Sequence, residues 1–179
     1  MPKNSSNKVI NLPQKKEQDG RLFHTRIDID PDKRKKLITL LNARLADTLD
    51  VQSQAKFAHW NVKGKDFYQV HLLFDSIAEH LEEGVDLIAE RITALGGRAN
   101  GTLREAAAAT SVPEYDTSAI GSMDNVRALA DSLGALSNAA RKAIDETDDL
   151  EDRATSDIFT EIVRTADSDL YFLESHLQA

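Results

Sequence analysis

The chain has no cysteine among its 179 residues. Disulfides, thiolate metal sites and thiol catalysis are therefore excluded. No apolar run approaches the roughly 20 residues that span a bilayer, and the N-terminus has no apolar signal-peptide core. The cytoplasm is the expected location. Excess positive charge is also missing. The net charge of −8 argues against a uniformly nucleic-acid-binding surface and suits a protein that attracts cations. Proline is scarce, with four residues, and no stretch has the alternation of a half-buried strand. What is present is 41% hydrophobic and 29% charged residues, the balance of a folded soluble domain with a sizeable core.

Residues 1–22 read as a flexible basic tail, with residues 23–179 as one domain. The tail holds Pro2, Asn4, Ser5, Ser6, Asn7, Asn11 and Pro13, which give it little reason to fold. Five basic and two acidic side chains make it +3 and leave −11 on the rest. A first helix is expected from Asp30-Pro31, an N-cap followed by proline, to about Trp60, with Leu37, Leu41, Leu45 and Leu49 on one face. A second should open at Asp66, paired with Gln69 in a capping box, and stop at Gly96-Gly97. Thr102 and Glu105 form another capping box before a short helix to about Ala109. Two more helices are expected over 123–147 and 155–177. Four long helices with a short one in the middle connection predict an all-α four-helix bundle.

The second helix carries two i,i+4 pairs, His71/Asp75 and Asp86/Glu90, each sharing one helix face. Each pair is half of a plausible metal site. Imidazole and carboxylate without thiolate suit Fe(II), Mn(II) or Zn(II). The bland alternative is solvated helix surface. The eleven-residue step from Asp75 to Asp86 is roughly 16 Å of helix, too far for the pairs to serve one site within a chain. A second copy, antiparallel about a two-fold axis near residues 80 and 81, would bring 71/75 of one chain beside 86/90 of the other. His59, at the end of the first helix, joins the candidates. His80 lies on the opposite side of the helix from His71 and reads as a packing or surface histidine, and His24 as surface. The acidic run 146–152 is either a polar loop or, through Asp148, Asp149 and Asp152, an entry funnel for cations around a three-fold axis.

His59-Trp60-Asn61-Val62, Gly64, Phe67, His71 and Asp75, followed by Asp86-x-x-x-Glu90-Arg91 and Leu95-Gly96-Gly97, closely resemble the Dps family of ferritin-like mini-ferritins. The resemblance covers about residues 25–178. It implies a ferritin-like bundle assembled from two-fold dimers into a hollow homo-dodecamer. The implied ferroxidase takes His59, His71 and Asp75 from one subunit and Asp86 and Glu90 from its partner, with one or two irons per site and Zn or Mn able to substitute. Trp60 corresponds to a redox neighbour of the site, and His176 falls where the last helix passes the metal. The implied reaction is oxidation of Fe(II), with hydrogen peroxide preferred over O2, and storage of the ferric oxide. Glu79, Glu82 and Glu83 are candidates for nucleating it, or else a solvated face. Twelve chains would carry a formal charge of about −96, which attracts Fe(II). The Glu-x-x-His motif of sites built inside one bundle does not occur in the chain, which favours the intersubunit form.

Nucleic acid is the competing theme. Lys3, Lys8, Lys15 and Lys16 could hold phosphate backbones without sequence preference, with avidity from twelve tails. Lys33-Arg34-Lys35-Lys36 is a second basic cluster. On that reading the protein is mainly a nucleoid-compacting DNA binder with weak ferroxidase activity, and its place is the nucleoid.

Overall fold

A computed structural model describes residues 21–178 of the chain. Lys3, Lys8, Lys15 and Lys16, and with them most of the expected tail, lie outside the described residues. The elements are α1 (Pro31–Asn61), α2 (Phe67–Ala94), α3 (Leu103–Ala109), α4 (Ser122–Asp149) and α5 (Arg153–Ser175). This is the expected bundle of four long helices with a short one in the second connection.

The helix ends follow local chemistry. Asp30 accepts hydrogen bonds from the backbone N–H groups of Asp32 and Lys33, with Pro31 at the first position. Thr102 and Glu105 form the expected reciprocal box. The box expected at Asp66 and Gln69 does not form. Asp66 has φ −99° and ψ 16° and makes no side-chain cap bond, because it is still inside the turn that leads out of Gly64. The stop after α2 is as expected, with Gly96 at φ +84°. A Cβ there would lie 2.5 Å from the Phe23 carbonyl oxygen, and that carbonyl belongs to an extended segment tied down by Phe23 N–H donating to Gly96 O.

Two layers of core run along the bundle. One gathers the C-terminal half of α1 (Val51, Ala55, Ala58), the N-terminal half of α2 (Val70, Phe74, Ile77), the N-terminal half of α4 (Val126, Leu129, Leu133) and Ala166 and Leu173 of α5. The other joins Leu37, Leu41 and Leu45 to Ile88, Ile92, Ala140 and Phe159. Helices α1 and α5 therefore run one way and α2 and α4 the other. Each fully buried Leu, Ile or Phe contributes about 1.5–3 kcal/mol. Among the described residues no helix is long and apolar enough to cross a membrane.

Candidate metal centre

The α1–α2 hairpin turns over five residues and sets His59, near the end of α1, across from His71, one turn into α2. The turn is fixed from outside. Lys63 N–H donates to Ile120 O, and the Ser122 hydroxyl donates to Lys63 O at 3.1 Å. Gly64, at φ +126°, passes so close that a Cβ would stand 3.2 Å from that hydroxyl.

The two imidazoles stack, with centroids 3.8 Å apart and an 18° tilt. Phe67 covers the other face of His71 at 4.9 Å. Each ring donates Nδ1–H to the other residue's main chain, His59 to His71 O at 2.9 Å and His71 to His59 O at 2.8 Å. That bond selects the tautomer in which Nε2 carries the lone pair, so both histidines keep the nitrogen a metal needs. Asp75 stands alongside, one oxygen 3.8 Å from His59 Nδ1. The same oxygen accepts a hydrogen bond from Lys56 Nζ at 2.6 Å. Lys56, ahead of the weaker influence of the two imidazoles and against partial desolvation, holds the Asp75 carboxyl below its ordinary value. Lys56 escaped the sequence reading. The signal was there, because it lies three residues before His59 and shares its helix face.

Asp86 and Glu90 are exposed further along α2. They stay on the stripe of Asp75, about 16 Å away by helical rise. Among the described residues of the single chain, no group of three His, Asp or Glu side chains is arranged to hold a metal ion. His59, His71 and Asp75 are neighbours at the hairpin without forming a ligand set by themselves, and Asp86 and Glu90 lie apart from them. Next to the trio along the chain several large apolar side chains are exposed, with Trp60 and Tyr68 each 66% exposed and Leu72 48%.

The other candidates fall in distinct places. Glu79 and Glu82 are exposed on α2 between the two pairs, and Glu83 lines a groove against α5 with Glu161 and Asp169. His80 faces away from the trio. Its Nδ1 sits 3.0 and 3.1 Å from the two oxygens of buried Asp169. Burial pushes the Asp169 carboxyl up, and the bond to His80 offsets only part of that. His176 follows the end of α5, exposed, with Nδ1 bonded to Phe172 O, and His24 is exposed. Asp148 and Asp149 are exposed at the α4–α5 turn, but Asp152 is only 3% exposed. It caps α5 and takes two 2.8 Å hydrogen bonds from Arg91 of α2. Burial would raise its carboxyl, but Arg91 and Thr155 outweigh that and hold it below its ordinary value. The basic cluster at the start of α1 is also largely engaged. Lys33 pairs with Glu151, Arg34 donates to Leu95 O, and Lys35 pairs with Asp32.

The profile of the ferritin-like domain family matches residues 38–179. A DNA protection during starvation protein of Agrobacterium fabrum is 39% identical over 154 residues, covering 86% of this chain and 95% of its own. Among solved structures, DpsC of Streptomyces coelicolor superposes with a TM-score of 0.85 at 29% identity, over 92% of this chain and 97% of that one. Dps of Microbacterium arborescens, solved in its high iron form, gives 0.77 at 30% identity over 84% and 97%. Sequence and fold agree, and the chain belongs to the Dps family of ferritin-like proteins.

Proposed function

We propose that this protein is a ferroxidase and iron store. It oxidises Fe(II), preferentially with hydrogen peroxide, at sites made from His59, His71 and Asp75 of one chain and Asp86 and Glu90 of a second copy. The ferric oxide is stored in a hollow dodecamer, which spares DNA from oxidative damage. The observation that carries this reading is the crossed pair of Nδ1–carbonyl bonds, which leaves the Nε2 lone pairs of both histidines for a metal, with the Asp75 carboxylate close to His59. Family membership and the high iron form of the Microbacterium relative support it.

Iron is substrate and cargo. The imidazoles suit Fe(II), while the carboxylates favour the harder Fe(III) and so the oxidised product. A sparse ligand set leaves room for the oxidant. Two Fe(II) each give one electron. The O–O bond of one peroxide takes both, and its oxygens leave as water after accepting two protons. Both electrons are consumed together, so no hydroxyl radical is released. Fe(III) then hydrolyses, returning protons to solution. Trp60, beside His59 in sequence and exposed, stands ready to reduce a stray oxidant. The test is anaerobic addition of Fe(II) to the full chain, then peroxide, following near-ultraviolet absorbance. A prompt rise with one peroxide consumed per two Fe(II) is expected, and it should be lost in His71→Ala. A rise no faster than in protein-free buffer overturns the proposal.

DNA compaction is the second reading, favoured by the +3 of residues 1–22. The cluster at 33–36 supports it little, since three of its four cations already have partners.

A further inference from the structure

Phe67 is the first residue of α2 and shares a helix face with His71, one turn further on. Its ring sits 4.9 Å from the imidazole with a 28° tilt. His59 takes the opposite face of His71 at 3.8 Å. His71 is therefore held between two rings, whereas among the described residues His59 has a ring on one face only. Phe67 is itself anchored. Its N–H donates to Gly64 O, and Lys63 Nζ stands 5.7 Å from its ring centroid, near enough for a cation–π contact. Yet Phe67 is 37% exposed and belongs to neither core layer. A ring left so far in water gains less from burial than a core phenylalanine, so packing alone does not account for it.

The torsion that turns an imidazole about its Cβ–Cγ bond is broad and roughly two-fold. The Nδ1–H bond to His59 O fixes one edge of the His71 ring but permits a rocking motion that swings Nε2. Rings on both faces suppress that rocking. We propose that Phe67 is a positioning residue for His71, clamping the imidazole against His59 so that Nε2 keeps one direction before a metal ion arrives. This rests on the reading of His71 as a ligand. A donor that is already aligned loses less freedom on binding, and the gain appears as affinity. The strength of stacked aromatic pairs makes the loss of Phe67 worth about a two- to tenfold weakening of metal binding. A phenylalanine that served only folding or assembly would act differently. Its loss would lower stability or break up the assembly and leave the surroundings of a bound metal unchanged.

The probe is Co(II), whose visible absorption reports the geometry of its ligands. Titration of the assembled full chain compares wild type with Phe67→Leu, Phe67→Tyr and His71→Ala, with light scattering and urea unfolding run on each. Phe67→Leu keeps an apolar side chain but has no ring face. It should assemble, bind Co(II) about two- to tenfold more weakly and shift the visible bands. Phe67→Tyr, which keeps the ring, should restore both affinity and spectrum. Wild-type affinity and spectrum in Phe67→Leu, or a loss that Phe67→Tyr does not restore, would overturn the assignment of Phe67, provided His71→Ala still weakens binding. Should Phe67→Leu fail to assemble, Phe67→Met, with a flexible side chain that fills irregular space, takes its place under the same criteria. Failure of both to assemble gives Phe67 to assembly and overturns the proposal. If His71→Ala binds Co(II) as the wild type does, the ligand reading itself fails and the role of Phe67 falls with it.

Discussion

Replacing Asp152 by Asn removes one charge from a buried pair and keeps the shape of the α5 cap. In the wild type Arg91 gives Asp152 two hydrogen bonds of 2.8 Å and donates Nε–H to the Thr155 hydroxyl at 2.8 Å. Asp152 is 3% exposed at its side chain and Arg91 15%. Removing one partner of a buried pair costs about 3–5 kcal/mol, because the other charge stays buried and uncompensated. Arg91 keeps some water and the Thr155 bond, so the lower end applies. The expected loss is about 3 kcal/mol, or roughly 6–12 °C for a chain of this size. The assay is urea unfolding followed by far-ultraviolet circular dichroism, at matched chain concentration because assembly stabilises the folded chain. The pH dependence has a definite sign. The folded carboxyl lies below its ordinary value, so its contribution is fully present above the ordinary aspartate value of about 3.9 and drains away as pH falls through the folded one. The gap between wild type and Asp152→Asn should therefore hold at neutral pH and close in acid. A gap under about 0.5 kcal/mol at neutral pH, or one that persists unchanged in acid, refutes the buried-pair account.

Asp152 is taken up by this pair, so the proposed cation funnel rests on Asp148 and Asp149. Changing both to Asn should slow iron uptake without affecting assembly, most clearly at low salt where charge attraction is least screened. Unchanged uptake there removes the funnel. Deleting residues 1–22 should abolish any gel shift with DNA, which itself should weaken steeply with salt, and should leave peroxide-driven iron oxidation almost unchanged. Full-length protein that fails to shift DNA at low salt and slightly acidic pH removes the nucleic-acid reading.

The elements that rest on local chemistry were legible in the sequence. The four-residue spacing of Leu37, Leu41 and Leu45, the Asp30-Pro31 cap and the Thr102/Glu105 box all act within a turn or two of chain, and each appears as expected. The Asp66/Gln69 box was not legible, since the Gly64 turn rather than the side chain decides where α2 begins. Long-range partners were hidden for the same reason. Asp152 looks like one of several acidic turn residues until Arg91, 61 positions earlier, is seen beside it. His80 gains its meaning from Asp169, 89 positions away. For the metal centre, periodicity placed each pair on one face, but it gave neither the crossed Nδ1–carbonyl bonds nor Lys56 on Asp75. Both depend on how the hairpin closes.

The central claim is that one site is made by two chains, and mixed dimers test it most directly. His71→Ala and Glu90→Ala chains carrying different tags are co-expressed, and assemblies containing both are purified and assayed for peroxide-driven Fe(II) oxidation. In a dimer of one chain of each kind, both lesions fall in the same shared site and the other site is intact. About half of the wild-type activity per mixed dimer should therefore return, although each parent alone is impaired. If every site lay within a single chain, each mixed dimer would carry two damaged sites. Activity no higher than that of the parents would then contradict the account.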